Sequence, residues 1–439
     1  MKAPRSSDDP SAAPRFRRAL QAVWFRAALA LLCLAGHLAA VGASNAIRFH
    51  GHFNTAPGQA PAFAHPRDAE AQHWNRLAVS RWDSGNYISI ALRRYSLCPD
   101  SSLRGADLRA LGPTCNFSFY PTYPLLGWVA SLGARIPIDY ALWGLSLAAS
   151  LVFLFLWTGP VLVDRIGLGP TYVSFAVFNL FTTGFLLVAV QTEPLALLLT
   201  LGAFLALARR WVLLGAVLAG AATAIRITAV ATGMAYAIAL VALTIWERPR
   251  ELPAWLRRGA EIILSGWGVL TLLVYYGLRF GDPFLYLHAH AQSFHHEVSL
   301  LQLVLPEPER ILTSIEHPLH EGVWLAAALL WFALGHRQTL DRFPRVERVF
   351  LYALFILSIG VAAYGSIGLA FAGMNRYLLL CLPLFLVIAV VAARKPLLLA
   401  LWLTFSVWHY WNSDLCEYSG GPGDRTLRQC CQDHWIGRI

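Results

Sequence analysis

Residues 140–163 read YALWGLSLAASLVFLFLWTGPVLV, with no charged side chain anywhere in the stretch. At ~1.5 Å per residue, a helix over these positions is roughly 36 Å long, enough to cross the ~30 Å hydrocarbon core of a bilayer. The stretch is apolar on all sides, whereas a strand of a membrane β-barrel alternates in polarity at every second residue. The runs from Ile262 to Phe280 and from Val349 to Ala370 have the same character. Across all 439 residues the chain is 57% apolar and 14% charged, with a mean hydropathy of +0.51. A soluble domain carries about a quarter charged residues, so the apolar excess belongs in lipid. A soluble enzyme, a coiled coil and a disordered tail are excluded, and an all-α polytopic membrane protein is the expected fold class.

The net charge of +10, from 35 Lys and Arg against 25 Asp and Glu, could by itself suggest a nucleic-acid binder. The basic residues instead fall between the apolar runs, where they report orientation and imply no nucleic-acid partner. Residues 1–20, with Lys2, Arg5, Arg15, Arg17 and Arg18 among Pro, Ser and Ala, read as a disordered cytoplasmic tail. The run from about Ala27 to Val41 is short and ends in small residues, as a signal peptide does, but the many spans behind it favour a retained helix. Arg209 and Arg210, the group Arg248, Arg250, Arg257 and Arg258, the group Arg337, Arg342, Arg345 and Arg348, and Arg394 with Lys395 all belong on the cytoplasmic side. Counting from them gives about 11 transmembrane helices over residues 21–411, with a hairpin between Arg210 and Arg248 whose tip lies near Arg226. Residues 44–120, 281–321 and the tail 412–439 are then outside. The segment from Tyr120 to Ile136 breaks this parity if it crosses, and is read as a re-entrant or juxtamembrane helix.

Cys98, Cys115, Cys416, Cys430 and Cys431 fall on the expected outer face, as an oxidising compartment allows, with Cys98–Cys115 the most plausible disulfide. Asn116-Phe117-Ser118 forms a glycosylation sequon.

Ionisable groups near membrane depth are costly and are candidates for function. They are Asp83, Glu193, Arg226, Arg279, Asp282, the histidines from His288 to His296, and Arg376, all at outer helix ends or in outer loops. Each taken singly can simply end a helix; their convergence on one face is the signal. Around Asp83 the chain runs Arg81-Trp82-Asp83-Ser84-Gly85-Asn86-Tyr87-Ile88-Ser89-Ile90-Ala91, in which Trp82, Tyr87, Ile90 and Ala91 line one stripe of a short amphipathic helix expected to lie on the membrane surface. Asp83 is its N-cap on one reading. On the other it is a general base, a carboxylate at the water–lipid boundary that takes a proton from a sugar hydroxyl.

This stretch, closed by Tyr95, resembles the WDxxxYxxIAxxGY signature of the PIG-V-type (GPI mannosyltransferase 2-like) mannosyltransferases of the GT-C glycosyltransferase superfamily. Phe117-Ser118-Phe119-Tyr120-Pro121-Thr122-Tyr123-Pro124-Leu125-Leu126 is similar to the family's AFFPLYPLL, and Thr192-Glu193-Pro194-Leu195 to its SExLF. Ala224-Ile225-Arg226-Ile227-Thr228 resembles its helix carrying a single Arg, and Gly281-Asp282-Pro283-Phe284 and Asn375-Arg376-Tyr377 its GDP and RY elements. The resemblance spans roughly residues 80 to 385, and six short segments in order make it specific. Arg94 stands where the family has Gly before the closing Tyr, Thr192 where it has Ser, and Pro194 follows the glutamate.

The resemblance implies a GT-C-like bundle with outer-face juxtamembrane helices and transfer of a hexose, mannose above all, from a polyprenyl- or dolichyl-phosphate sugar to a lipid-linked or glycan acceptor, with inversion. Asp83 is then the catalytic base. Arg81, Trp82, Glu193, Arg226, Asp282, His288, His290, Arg376 and Tyr377 bind substrate, with the arginines, and His288 or His290, meeting the departing phosphate. Glu193 either orients the acceptor or holds an arginine. No cofactor is expected: the cationic side chains suffice for the leaving group, Asp282 and Glu193 are too few acids for a hard-cation site, and His288, His290, His295 and His296 read as an interfacial loop in preference to a metal site. The expected location is a bacterial inner membrane with the site facing outward, or an endoplasmic reticulum membrane with a lumenal site. A membrane transporter or lipid flippase is the alternative, although such proteins often carry paired broken helices in internal repeats and none is evident.

Overall fold

The computed structural model describes residues 22–49, 79, 83–95, 116–293, 322–366 and 374–411. Arg81, Trp82 and the side chain of His290 lie outside the described residues, as do the five cysteines of the expected outer face, His295, His296 and both chain termini. Helix is the only regular secondary structure among the described residues, with no strand among them. In chain order the helices are α1 (Val23–Phe49), α2 (Ser84–Arg93), α3 (Thr122–Ala130), α4 (Ile138–Trp157), α5 (Pro160–Ile166), α6 (Leu168–Asn179), α7 (Glu193–Ala208), α8 (Val212–Thr223), α9 (Val230–Glu247), α10 (Leu252–Leu264), α11 (Trp267–Phe280), α12 (Leu285–Ser293), α13 (Gly322–Leu340), α14 (Arg345–Ser366), α15 (Met374–Leu378), α16 (Leu382–Ala392) and α17 (Pro396–His409).

Three helical segments are long and apolar enough to cross a membrane, Val23–Ser44, Ile138–Trp157 and Ile227–Glu247, and the count reaches five if two bent pairs are each one span. The expectation of about 11 uninterrupted crossings is therefore met only in part among the described residues. The reason is visible in the chain. The run from Tyr140 stops at Trp157, because Thr158-Gly159-Pro160 starts a new helix with proline in its first turn. Gly167, at φ +92°, then turns α5 into α6 through 114°. The run from Ile262 to Phe280 bends by 64° at Ser265-Gly266. Other apolar helices, α7, α8, α16 and α17, have 10–17 residues, so at ~1.5 Å per residue they fall short of the ~30 Å core and are extended by irregular chain that must find its hydrogen bonds within the protein. Helix α3, at nine residues, is shorter still.

At the centre lies α16, every residue of which is buried. Phe385 meets Phe178 and Phe181 at ring distances of 4.9 and 5.3 Å, and Phe181 meets Trp324 of α13 at 5.3 Å. Outward-facing Leu32, Leu278, Ile356 and Leu401 give the bundle an apolar exterior of the kind that lipid covers. Where α8 meets α10 and α11, a Cβ at Gly220 would strike the Leu264 carbonyl and the Trp267 ring, and one at Gly268 the Gly220 carbonyl, so small residues set the approach, as membrane bundles use them.

One polar clamp ties the end of the bundle remote from Glu193. Arg165 in the last turn of α5 donates from Nε and Nη2 to the two oxygens of Glu347 in the first turn of α14, each at 2.8 Å, and Glu347 is buried. Removing one partner strands the other, so Glu347→Ala is expected to lower stability by about 3 kcal/mol. Thermal unfolding in detergent checks this, and a melting temperature equal to the parent's would show the clamp to be dispensable.

Candidate active site

The segment between α6 and α7 is irregular yet sealed: residues 181–193 are all buried. Its carbonyls are satisfied from α4, where Trp143, Ser146 and Ser150 share one face. Trp143 Nε1 donates to Val188 O at 2.9 Å, Ser150 Oγ to Leu187 O at 2.6 Å and Ser146 Oγ to Gln191 O at 3.0 Å. This scaffold delivers Gln191, Thr192 and Glu193 to the start of α7. A carboxylate in the first turn of a helix also gains from the helix dipole.

Arg226 arrives from the expected hairpin tip. Helix α8 ends at Thr223, Arg226 takes an extended backbone (φ −161°, ψ 157°), and a 3₁₀ turn, Ile227–Ala229, leads into α9. Its guanidinium pairs with Glu193 Oε1 and lies 5.9 Å from the ring centre of Tyr377. Arg376 arrives on α15, its backbone N–H held by Asn375 Oδ1 at 2.7 Å. Arg376 Nε donates to the same Glu193 Oε1, while Nη2 lies 2.7 Å from Asp83 Oδ2 and donates to Gln191 Oε1 at 2.9 Å. Two acids and two arginines thus form one cluster of zero formal charge. Glu193 Oε2 and Arg226 Nε are buried within it without a hydrogen-bond partner among the described residues.

Asp83 occupies the N-cap position of α2, but its side chain makes no cap hydrogen bond. The carboxylate turns to Arg376 instead. Helix α2 packs into the protein through Ser84, Tyr87, Ser89 and Ile90, all of which are buried. The cause is a set of polar anchors within its apolar pattern. Ser84 Oγ donates to Val190 O at 2.7 Å and accepts from Gln191 Nε2 at 3.3 Å, and the Tyr87 hydroxyl meets Thr192 Oγ1 at 3.3 Å. The Tyr87 ring packs edge-on against Phe119 and Tyr123, at 5.6 and 5.2 Å. Burial, and then the negative charge of Asp83, push the Tyr87 phenol above its usual range, which keeps it a neutral hydrogen-bonding group. Tyr95 closes the stretch by stacking on Phe117 at 4.7 Å and meeting the Tyr276 hydroxyl at 2.9 Å.

Exposure is graded through the cluster. The side chain of Glu193 is 0% exposed, against 11% for Arg226, 14% for Arg376 and 25% for Asp83. Glu193 sits at the sealed back, where it holds both arginines. Of the two roles the sequence left open for Glu193, the geometry favours the second.

Asp83, Glu193, Arg226, Arg376 and Tyr377 are therefore brought together. Asp282 and His288 are engaged with each other instead: Asp282 Oδ1 accepts from Phe284 N at 2.8 Å, and Oδ2 lies 2.7 Å from His288 Nδ1, at the start of α12. Arg279 is exposed and lies 5.9 Å from the ring centre of Phe280. The sequon residue Asn116 is fully buried, with its Nδ2 donating to Arg94 O at 3.2 Å, so the fold leaves no open amide there. Among the described residues no three His, Cys, Asp or Glu side chains are grouped as metal ligands.

Gln191 and Ser84 escaped the sequence reading because uncharged polar residues inside apolar segments do not stand out. Their signal is adjacency, Gln191 two residues before Glu193 and Ser84 next to Asp83. No protein-family model, curated protein or solved structure matches the chain.

Proposed function

We propose that the chain is an integral membrane glycosyltransferase of GT-C type, a bundle of about 11 transmembrane helices that moves a hexose, mannose above all, from a polyprenyl- or dolichyl-phosphate sugar to a lipid-linked or glycan acceptor. The observation that carries this reading is the graded cluster: two arginines tied to a sealed glutamate, with Asp83 at the open edge beside them. Such a site offers fixed positive charge to a phosphate and a carboxylate to a hydroxyl within one small volume. In the reaction Asp83 takes the proton of the acceptor hydroxyl, the acceptor oxygen bonds to the anomeric carbon from the face opposite the phosphate, and the bond from that carbon to the phosphate oxygen breaks. The electron pair stays on the phosphate, facing Arg226 and Arg376. Inversion follows from the single displacement. The site end of the bundle is read as the outer or lumenal one, from the basic residues of the opposite loops.

Purified protein given polyprenyl-phosphate mannose and a panel of acceptors tests this directly, with transfer as the expected result. Absence of transfer from every lipid-linked sugar, together with movement of a solute across a vesicle membrane, would make the chain a transporter. In the same preparation Arg226→Gln is expected to weaken donor binding by about tenfold or more, since a charge-assisted contact is lost. Unchanged donor affinity in folded Arg226→Gln protein would reduce the Arg226–Glu193 pair to a structural tie.

A further inference from the structure

Arg376 is shared by more acceptors than one incoming anion can leave undisturbed. It donates to Glu193 from Nε, and its Nη2 serves both Gln191 Oε1 at 2.9 Å and Asp83 Oδ2 at 2.7 Å. Of these partners, Glu193 is sealed and bound also to Arg226, and Gln191 is buried and anchored to Ser84. Asp83 is the most exposed member of the cluster, and the backbone of its own helix does not hold its carboxylate. The two acids and two arginines cancel in formal charge. A phosphodiester brings one further negative charge and competes for the same guanidinium hydrogens, and the contact that can be given up without burying a bare charge is the one to Asp83.

The geometry points to Arg376 as an exchange point that couples donor arrival to release of the base: a lipid-linked phosphate takes Arg376 Nη2 from Asp83, and only the carboxylate so freed turns to the acceptor hydroxyl. This rests on the donor and base assignments proposed above and adds an order to them, with donor before acceptor. Arg376 is in this scheme a positioning residue for the base as well as a phosphate contact. Until a phosphate is present, the carboxylate that would activate a hydroxyl is engaged, which also guards against wasteful activation of water.

The consequence is counterintuitive for an inactivating substitution: removing the Asp83 charge removes a competitor for Arg376 and strengthens phosphate binding. The experiment is titration of detergent-solubilised full-length protein with a short-chain polyprenyl phosphate and with the matching neutral polyprenol, for the parent, Asp83→Asn and Asp83→Ala. Expected is binding of the phosphate about fivefold tighter in both variants, the value of one partly exposed ion pair, with polyprenol affinity unchanged. Phosphate affinity equal to or weaker than the parent's in both variants would overturn the exchange while leaving the donor assignment intact. A gain seen equally with polyprenol would trace it to packing and overturn the exchange as well. Failure of the parent to bind the phosphate at all would remove the donor assignment, and the exchange with it.

Discussion

Asp83→Asn protein is expected to fold, insert and bind lipid-linked phosphate, yet to turn over about 10² to 10⁴ times more slowly, the usual worth of general-base catalysis. The structure makes this substitution a clean one. Asp83 sits at the N-cap position of α2 without a side-chain cap bond, and at 25% exposure its carboxylate is not a sealed charge whose loss strands a partner. Arg376 keeps Glu193 and Gln191 when the charge at position 83 is gone. A single-turnover assay with saturating polyprenyl-phosphate mannose and acceptor isolates the transfer step. Near-normal turnover would return Asp83 to a partner of Arg376 alone and move the search for the base to Glu193 or to Asp282, which lies outside the cluster beside His288.

Glu193→Gln carries the second large effect, this time on the fold. Glu193 is wholly buried and is the carboxylate that Arg226 and Arg376 have in common. An amide of the same size keeps the packing but leaves two guanidinium groups with one carboxylate, Asp83, between them. Removing one partner of a buried pair typically costs about 3–5 kcal/mol, roughly 10²·² to 10³·⁷ in the folding equilibrium. The expected outcome is a lower unfolding temperature and poor yield, partly restored by adding Arg226→Gln, which removes the surplus cation. Unimpaired stability of Glu193→Gln would show that solvent or lipid already neutralises the arginines, and the sealed-back description of the site would have to be given up.

Much of this arrangement is legible in the chain. Charge-free runs such as 140–163 dictate helices, because only internal hydrogen bonding satisfies a backbone in lipid. The expense of burying charge narrows the 60 ionised side chains, the 35 basic and 25 acidic residues together, to Asp83, Glu193, Arg226, Arg279, Asp282 and Arg376, with the histidines from His288 to His296 beside them. The break at Arg226 was foreshadowed by the length of chain between Arg210 and Arg248, too long for one crossing. Less legible was continuity. Apolar runs that look unbroken by composition are divided by Gly159-Pro160 and by Ser265-Gly266, since hydropathy averages over the turn chemistry that ends a helix.

Local composition is enough to make the chain helical and membrane-bound and to mark the charges too costly to be incidental, because both follow from the free-energy cost of taking polar groups out of water. Which of those charges meet was decided by the tertiary structure alone. Asp83 and Arg376 are 293 positions apart and Glu193 and Arg376 are 183 apart, and no local pattern specifies contacts at such separations. The packing of α2 against the buried 181–193 segment and the placement of α15 put one guanidinium between two carboxylates, and set Asp282, which looks equivalent in the sequence, beside His288 instead. Depth was decided the same way: Glu193 and Asp83 are both acids near a helix start, and only the surrounding walls make one the sealed holder and the other the exposed edge.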